Sequence, residues 1–233
     1  MGRFKDNKEI LNQEFIKSIE SEYIFNNAPI NRFNKKHDSN ETFTEITQLK
    51  DKIKSIEDCE LKKFSKNMVF SDGSHKSSLM IVGEGPGDTE DTQGKPFVGD
   101  AGILLNKMLN AINIKRENVY ITNVINYKTP NNRRPESSEI KRYSVFLREH
   151  ISIISPKILI LMGSTAMEAL LGQRLKISKE RGKWKEVIIN KKTFLTFLTF
   201  HPAYLLRQPD QKKFSWEDLK IIRKKIDELK IKF

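Results

Sequence analysis

The sequence predicts an α/β protein, a three-layer α/β/α sandwich around a central, mainly parallel four-stranded sheet. The alternation of apolar runs and helical patterns predicts this fold, and the composition predicts that the chain has no membrane span. From residue 78 onward, short continuous apolar runs alternate with helical patterns, which is typical of strands buried on both faces of a parallel sheet. The chain also has a charged fraction of 31% and no apolar run of about 18 residues, so we expect no membrane span.

The strands and helices of this main body follow one another in a regular order. The strand in LMIVG precedes a helix in AGILLNKMLNAI, and the strand in VYITN precedes a helix in ESSEIKRYSVFLREHISII. The strand in KILILM leads into the helix STAMEALL, and the strand in FLTFLTF is followed by the last helix, SWEDLKIIRKKIDELKI. Because ligands of such sheets bind beyond the carboxyl ends of the strands, the residues that end these strands are the candidate site.

The residues before the main body form a separate region. Residues 8–24 have apolar side chains at helical spacing and residues 31–42 are polar, which predicts an N-terminal helix and a flexible linker. We therefore predict two parts, an N-terminal helix with its linker at residues 1–45 and a main domain at residues 46–233. The first residues do not form a secretory signal, so we expect a cytoplasmic protein.

The net charge and the cysteine content limit the classes of function that this chain can have. The net charge of +12 is expected of a chain that binds a polyanion such as nucleic acid, although a composition rich in Lys, Asn and Ile could also produce it. Cys59 is the single cysteine, which excludes an intramolecular disulfide and a metal site made of cysteines alone.

The turn GEGPG at residues 83–87 follows the first strand. It lacks the Lys-Ser/Thr pair of a P-loop, and the acidic residues Asp88, Glu90 and Asp91 that follow it would repel a phosphate. A nucleotide cradle is therefore disfavoured. What remains is a glycine-rich turn with one carboxylate, that of Glu84, inside it.

Three further side chains each have a structural and a functional interpretation. Phe97 is either part of the core or a ring on which a planar base stacks. Asn123 ends a strand and either satisfies local backbone groups or reads the edge of a pyrimidine. His201 precedes a proline, which holds its backbone extended, and is either a buried core histidine or a ring that the loop directs at a ligand.

Two loops combine cations with exposed-looking side chains. The loop TPNNRRPESSE is either a solvated turn or a phosphate contact made by Arg133 and Arg134. The segment after His201 places an apolar wedge beside cations, a composition that opens and holds a nucleic acid strand. Its candidate residues are Tyr204, Leu205, Leu206 and Arg207.

Taken in order, these motifs resemble those of the uracil-DNA glycosylase superfamily, and in particular its bacterial family 4. The resemblance runs from about residue 61 to residue 219, and the N-terminal helix is covered only weakly. The segments that carry it are GEGPG, QGKPFVGDAGILL, YITN, NRRP, MGSTA, RGKW and TFHPAYLLRQPDQKKFSWEDL.

The resemblance implies a role for each candidate residue. Glu84 and His201 would be catalytic: Glu84 would orient the attacking water or hold the sugar cation, and His201 would donate a hydrogen bond to uracil O2. The uracil would be bound by Gly83, Gly85, Phe97 and Asn123. The DNA strand would be held by Arg133, Arg134, Tyr204, Leu205, Leu206 and Arg207.

The chain departs from this family at the iron–sulfur site. The resemblance implies four cysteine ligands, of which only Cys59 is present; Ile56, Tyr127 and Tyr143 stand at the other three positions. One thiolate cannot hold a four-iron, four-sulfur cluster, so we predict no cofactor and no metal. Either the substituted side chains pack into the former cluster site, which we favour, or the site has degenerated and the fold is less stable.

The resemblance therefore implies a monofunctional uracil-DNA glycosylase that begins base excision repair. We expect a monomer that acts on uracil in single- or double-stranded DNA, makes no membrane contact, and binds a repair or replication protein through its N-terminal helix. The alternative is a catalytically weak DNA-binding relative that serves as an accessory module. Loss of excision with DNA binding retained would identify this alternative.

Overall fold

The computed structural model describes residues 39–172 and 175–233, and the helix predicted at residues 8–24 lies outside them. In the described part of the chain, six strands form one sheet. The strands are β1 (Ser71–Gly73), β2 (Leu79–Gly83), β3 (Tyr120–Asn123), β4 (Ile158–Met162), β5 (Trp184–Ile189) and β6 (Lys192–Thr199).

Helices connect these strands and cover the sheet. They are α1 (Ser39–Lys54), α2 (Glu60–Phe64), α3 (Asp88–Gln93), α4 (Asp100–Ala111), α5 (Ser137–Ile154), α6 (Ser164–Leu171), α7 (Ile177–Glu180), α8 (Pro202–Arg207) and α9 (Lys212–Glu228). Within the described ranges, no helix has both the length and the apolar composition needed to cross a membrane.

The sheet has the order β1-β3-β2-β4-β6-β5. The inner strands β3, β2, β4 and β6 are parallel, whereas β1 and β5 pair antiparallel at the two edges. The mainly parallel α/β sheet is thus confirmed, but the predicted number of four strands is wrong, because the sheet has six. The four predicted strands are its parallel core.

Neither edge strand has the continuous apolar run that predicts the inner strands from the sequence. The strand β1 is Ser-Asp-Gly, with no apolar side chain, and β5 alternates buried and exposed positions. A two-residue turn, Asn190-Lys191, joins β5 to β6, and both residues have positive φ, 48° and 64°. This is the conformation of a type I′ hairpin turn, here without the glycine that usually signals it.

Side chains of the inner strands alternate between two cores, one on each face of the sheet. Met80 and Val82 point to the core formed with α1, α5 and α6, and Leu79 and Ile81 point to the core formed with α4 and α9. The continuous apolar sequence of β2 follows from this, because a strand covered on both faces needs apolar side chains at every position. The three-layer sandwich is confirmed.

That the main domain starts at residue 46 stays a prediction. Just before this position the structure differs from the predicted linker. Residues 39–42 were assigned to the linker, but they form the first turn of α1. Leu49 and Ile53 of this helix are fully buried against the sheet layer below. The predicted boundary between residues 45 and 46 therefore falls inside a helix.

A buried ion pair holds the end of β6. Asp218 of α9 accepts hydrogen bonds from Arg181 Nε at 2.9 Å and from Thr199 Oγ1 at 2.7 Å. Burial raises the pKa of the Asp218 carboxyl, and the bonds from Arg181 and Thr199 oppose this rise. The pair ties α9 to Thr199, two residues before His201.

We expect Asp218→Ala to lower the free energy of unfolding by about 3–5 kcal/mol, because the mostly buried Arg181 would lose its partner. Urea unfolding followed by circular dichroism measures the change. The matched control is Asp210→Ala at an exposed position, which should change stability by less than about 0.5 kcal/mol. An equal effect of the two substitutions would contradict a structural role for the pair.

Candidate active site

A cavity of about 370 Å³ opens at the carboxyl ends of the parallel strands. Glu84 follows β2, Asn123 ends β3, Gly163 follows β4 and His201 follows β6, and all four line this cavity. The parallel arrangement brings these residues together although they lie far apart in the sequence. Gly85 and Phe97 line the cavity too, so the predicted catalytic and uracil-binding residues meet there, except for Gly83.

Gly83 lies behind the cavity wall and makes room for two side chains that form it. It pairs with Asn123 across β2 and β3. A Cβ on Gly83 would approach the Asn123 Oδ1 and the Phe97 ring to 2.5 Å, closer than real contacts allow. The glycine therefore sets the position of Asn123 and Phe97. Its role as a direct uracil contact stays a prediction.

His201 presents one hydrogen-bond donor to the cavity. Its Nδ1 accepts a hydrogen bond from the Ala203 backbone N at 3.2 Å, so in the neutral ring the proton lies on Nε2. Burial, together with the charge of the nearby Arg207, lowers the pKa of His201 to about 4, and Glu90 opposes this change. The ring is thus neutral at pH 7, and its buried Nε2–H has no hydrogen-bond partner among the described residues.

Asn123 has a similarly unsatisfied atom. Its side chain is buried, and Oδ1 has no hydrogen-bond partner. Four side-chain atoms in the described residues share this condition, and two of them, Asn123 Oδ1 and His201 Nε2, belong to residues that line this cavity. Leaving a buried polar atom unpaired costs about 1–3 kcal/mol, so both atoms favour a polar ligand between them.

Phe97 is held in an unusual backbone conformation by Arg116. Phe97 has φ of 53°, in the left-handed region that a residue with a Cβ enters at a cost of about 1–2 kcal/mol. Arg116 donates from Nη1 to the Phe97 carbonyl at 2.9 Å and from Nη2 to the Pro96 carbonyl at 2.7 Å. The ring is buried in the core below α4 and lies 5.3 Å, centroid to centroid, from the His201 ring. The core and the stacking interpretations of Phe97 are therefore compatible.

Two glutamates shape the glycine-rich turn. Glu84 accepts a hydrogen bond from the Thr165 hydroxyl at the start of α6. Glu90 accepts from the backbone N of Val98 at 2.9 Å and of Gly99 at 2.8 Å, and from Gly87 at 3.2 Å. Glu90 thus fastens the turn at residues 83–87 to the turn that carries Phe97.

The two predicted phosphate-binding arginines are already paired within the protein. Arg133 makes a two-pronged contact with Glu139, with N–O distances of 2.8 and 2.7 Å, and lines the cavity. Arg134 donates to Glu168 at 2.7 Å and is not part of the cavity lining. A DNA contact by either stays a prediction.

The residues after His201 divide between the surface and the core. Tyr204 and Arg207 line the cavity, and Leu206 is 42% exposed. Leu205 is only 1% exposed and packs in the core with α4 and α9. The packing of α8 directs this side chain inward, and its role as a DNA contact stays a prediction. Leu206 is the exposed apolar side chain of the predicted wedge.

The predicted site of the iron–sulfur cluster contains aromatic and aliphatic side chains around one thiol. Cys59 Sγ lies 3.3 Å from the Tyr143 hydroxyl, and Tyr127 is also buried. Burial raises the pKa of both tyrosines, so their phenols stay neutral and are poor metal ligands. In residues 39–172 and 175–233, no three His, Cys, Asp or Glu side chains form a group that could hold a metal. These residues do not fit a cluster that needs four thiolates.

Sequence reasoning missed three residues that position this site, namely Glu90, Arg116 and Thr165. The spacing of Gly87 and Glu90, typical of a helix N-terminus with a carboxylate at the third position, could have identified Glu90. No local signal identifies Arg116 or Thr165, because their partners are distant in the sequence.

The fold and the cavity together define a class of protein. An α/β sandwich that presents an amide, a neutral imidazole, an aromatic ring and a carboxylate at its strand ends is built to bind a planar polar ring. Residues 70–222 match the family model of the Uracil DNA glycosylase superfamily. The chain belongs to this superfamily.

Curated relatives support the same assignment. The chain is 39% identical over 186 residues to a type-4 uracil-DNA glycosylase of Sulfurisphaera tokodaii, covering 76% of this chain and 83% of that protein. It is 39% identical to a type-4 uracil-DNA glycosylase of Thermotoga maritima, covering 67% of this chain and 81% of the relative. A DNA polymerase of Bacillus phage SP01 is 35% identical over 70% of this chain, which corresponds to 17% of the polymerase.

We expect His201 to remain neutral, with its proton on Nε2, from about pH 8 down to about pH 5, because burial disfavours the charged imidazolium and holds its pKa near 4. The nitrogen chemical shifts of ¹⁵N-labelled histidine report both the charge and the tautomer. The spectrum of His201→Gln assigns the signal. A titration of this ring near pH 6.5 would show that His201 is not desolvated as the structure indicates.

Proposed function

We propose that the protein is a uracil-DNA glycosylase that flips uracil out of DNA, hydrolyses its N-glycosidic bond and leaves an abasic site for base excision repair. The observation that carries the proposal is the cavity that joins two unsatisfied buried atoms, His201 Nε2 and Asn123 Oδ1, with Phe97 and Glu84. The printed names of the relatives from S. tokodaii and T. maritima support the same activity.

Recognition of the base follows from the donors and acceptors present. The Asn123 Oδ1 is an acceptor and is suited to the uracil N3–H, and its amide nitrogen is suited to the adjacent carbonyl O4. The Phe97 ring offers an apolar face for stacking on the base. The uracil would be extruded from the helix, because the edge that Asn123 reads is paired within a duplex.

His201 would act on the leaving group. When the bond between C1′ and N1 breaks, its electron pair moves onto the base and negative charge develops at O2. The neutral Nε2–H donates a hydrogen bond to this oxygen, and the backbone N–H of Gly85 is a second candidate donor. Removing one such donor typically slows a reaction by about 10²–10³-fold. A neutral donor is well suited here, since it stabilises the anion without giving up its proton.

Glu84 would act on the sugar side. The departing base leaves positive charge on the sugar, and a carboxylate beside it stabilises that charge. The same carboxylate can orient a water molecule, whose oxygen forms the new bond to C1′ while its proton passes to the carboxylate and finally neutralises the uracil anion. Glu84 lies between the strand end and α6, on the cavity wall.

The DNA strand would be held at the cavity mouth. Arg207 and Tyr204 line the opening, and the exposed Leu206 would occupy the space left by the extruded base. Phosphate contacts from this and neighbouring basic side chains make the binding sensitive to salt. Both single-stranded and double-stranded DNA are proposed substrates.

The excision assay tests this proposal directly. We expect the purified protein to create an alkali-labile site at a single uracil in labelled DNA, and His201→Ala to reduce the single-turnover rate by about 10²-fold or more while DNA binding persists. Gel separation of the alkali-treated strand measures the rate. The matched control is His75→Ala, at a histidine outside the cavity lining, which should retain excision.

The opposite result has a defined meaning. A folded wild type that binds DNA but does not excise uracil would favour the accessory-module alternative. The similarity to a phage DNA polymerase is the observation that favours this second function. The similarity of this chain to part of that polymerase would also agree with the prediction that residues 1–45 tether the chain to a replication or repair protein. The monomeric state and the cytoplasmic location stay predictions of the sequence.

We also propose that the protein works without an iron–sulfur cluster. Contacts among Cys59, Tyr143, Tyr127 and the partly buried Ile56 would supply the cohesion that a cluster provides elsewhere. The ammonium of Lys62 lies 5.9 Å above the Tyr127 ring and donates to the Ile56 carbonyl at 2.6 Å. This side chain therefore links Tyr127 to the backbone at Ile56. No step of the proposed reaction requires a redox group.

We expect protein produced with ample iron and purified without oxygen to contain no stoichiometric iron or acid-labile sulfide, because one thiolate cannot hold the cluster. Metal analysis and visible absorption measure this. A chelator should leave the melting temperature and the excision rate unchanged. Stoichiometric iron that is lost together with activity would contradict the proposal.

A further inference from the structure

We propose that Thr165 is a positioning residue that fixes the orientation of the Glu84 carboxylate for excision. This inference rests on the function proposed above and assigns a residue that neither the motifs nor the resemblance singled out. Thr165 is the second residue of α6, is 0% exposed, and donates its hydroxyl proton to Glu84 Oε2.

The direction of the hydrogen bond between Thr165 and Glu84 is set by Arg134, the other partner of the Thr165 hydroxyl. Arg134 Nε lies 3.4 Å from Thr165 Oγ1, and a guanidinium can only donate. A hydroxyl has one proton and can accept as well as donate, so Thr165 accepts from Arg134 and donates to Glu84. The three side chains form a directed chain from a cation, through a hydroxyl, to a carboxylate.

The rest of the network is anchored on α6. Arg134 is held by Glu168 at 2.7 Å, and Glu168 lies one turn after Thr165 on the same helix. The Thr165 hydroxyl is thereby placed by α6 and oriented by Arg134. Since Thr165 belongs to the first turn of α6, the bond also brings the carboxylate to the positive end of the helix dipole.

In this arrangement the two oxygens of the Glu84 carboxylate have different roles. Oε2 is occupied by Thr165, whereas Oε1 has no hydrogen-bond partner among the described residues. Oε1 is therefore the oxygen available to the attacking water or to the sugar cation. Without the Thr165 hydroxyl, the carboxylate would rotate among several orientations, and only a fraction of the molecules would present Oε1 correctly.

Thr165→Val tests the inference, because valine keeps the shape and removes the hydroxyl. We expect the single-turnover excision rate to fall about tenfold to a hundredfold, which corresponds to the loss of a hydrogen bond to a charged group, with DNA affinity unchanged. Thr165→Ser, which keeps the hydroxyl, should restore most of the rate. The matched control is Thr196→Val, another threonine that is 0% exposed, whose hydroxyl donates to the Phe194 carbonyl and not to Glu84; this variant should excise uracil normally.

A double-mutant cycle separates positioning from a general loss of packing. If Thr165 acts through Glu84, adding Thr165→Val to Glu84→Gln should cause little further loss of rate. Additive effects, or a Thr165→Val rate equal to that of Thr196→Val, would overturn the inference while leaving the glycosylase function intact. If the wild type does not excise uracil at all, crystal structures of wild type and Thr165→Val decide: an unchanged Glu84 carboxylate overturns the inference, and a rotated one supports it.

Discussion

The parallel pairing of β2 with β3, which sets Gly83 beside Asn123, is the constraint on which the site depends. This register fixes where both strands end, and hence where Glu84 and the Asn123 amide begin to face the cavity. The pairing continues past the strand ends, since Val124 N donates to the Gly83 carbonyl at 3.0 Å and Ile125 N to that of Glu84 at 3.2 Å. The small size of Gly83 is part of the same constraint, because any side chain there would displace the amide and the Phe97 ring.

The buried carboxylates of Glu90 and Asp91 and the guanidinium of Arg116 hold loops that lie outside the sheet. Glu90 and Asp91 accept hydrogen bonds from backbone N–H groups, the first from the turn of Phe97 and the second from residues 66 and 67. Arg116 holds the carbonyls around Phe97 in the same way. The two carboxylates are buried and the arginine is partly buried, and each satisfies several backbone groups at once, which is how irregular loops keep a single conformation without secondary structure.

Two of the four buried side-chain atoms without a hydrogen-bond partner in the described residues belong to residues that line the cavity. A neutral imidazole with a free Nε2–H and an amide with an unpaired oxygen are unfavourable in the absence of ligand. A base with complementary groups would remove that cost on binding. The rigid surroundings matter for this, because unpaired atoms in a mobile loop would instead find partners within the protein. Backbone strain at Phe97 and desolvation at His201 thus both occur beside this cavity.

Much of this protein was determined by local sequence pattern. The inner strands are apolar at every position because both faces are covered, so the α/β sandwich and the strand ends that carry Glu84, Asn123 and His201 could be predicted. The edge strands could not, since β1 has no apolar side chain and an edge position does not demand one. Only the tertiary structure decided that Leu205 points inward while Leu206 is exposed, because the rotation of α8 is set by packing. It alone also decided that Arg116 supports Phe97 and that Thr165 meets Glu84, since contacts between residues distant in the chain leave no local pattern to detect.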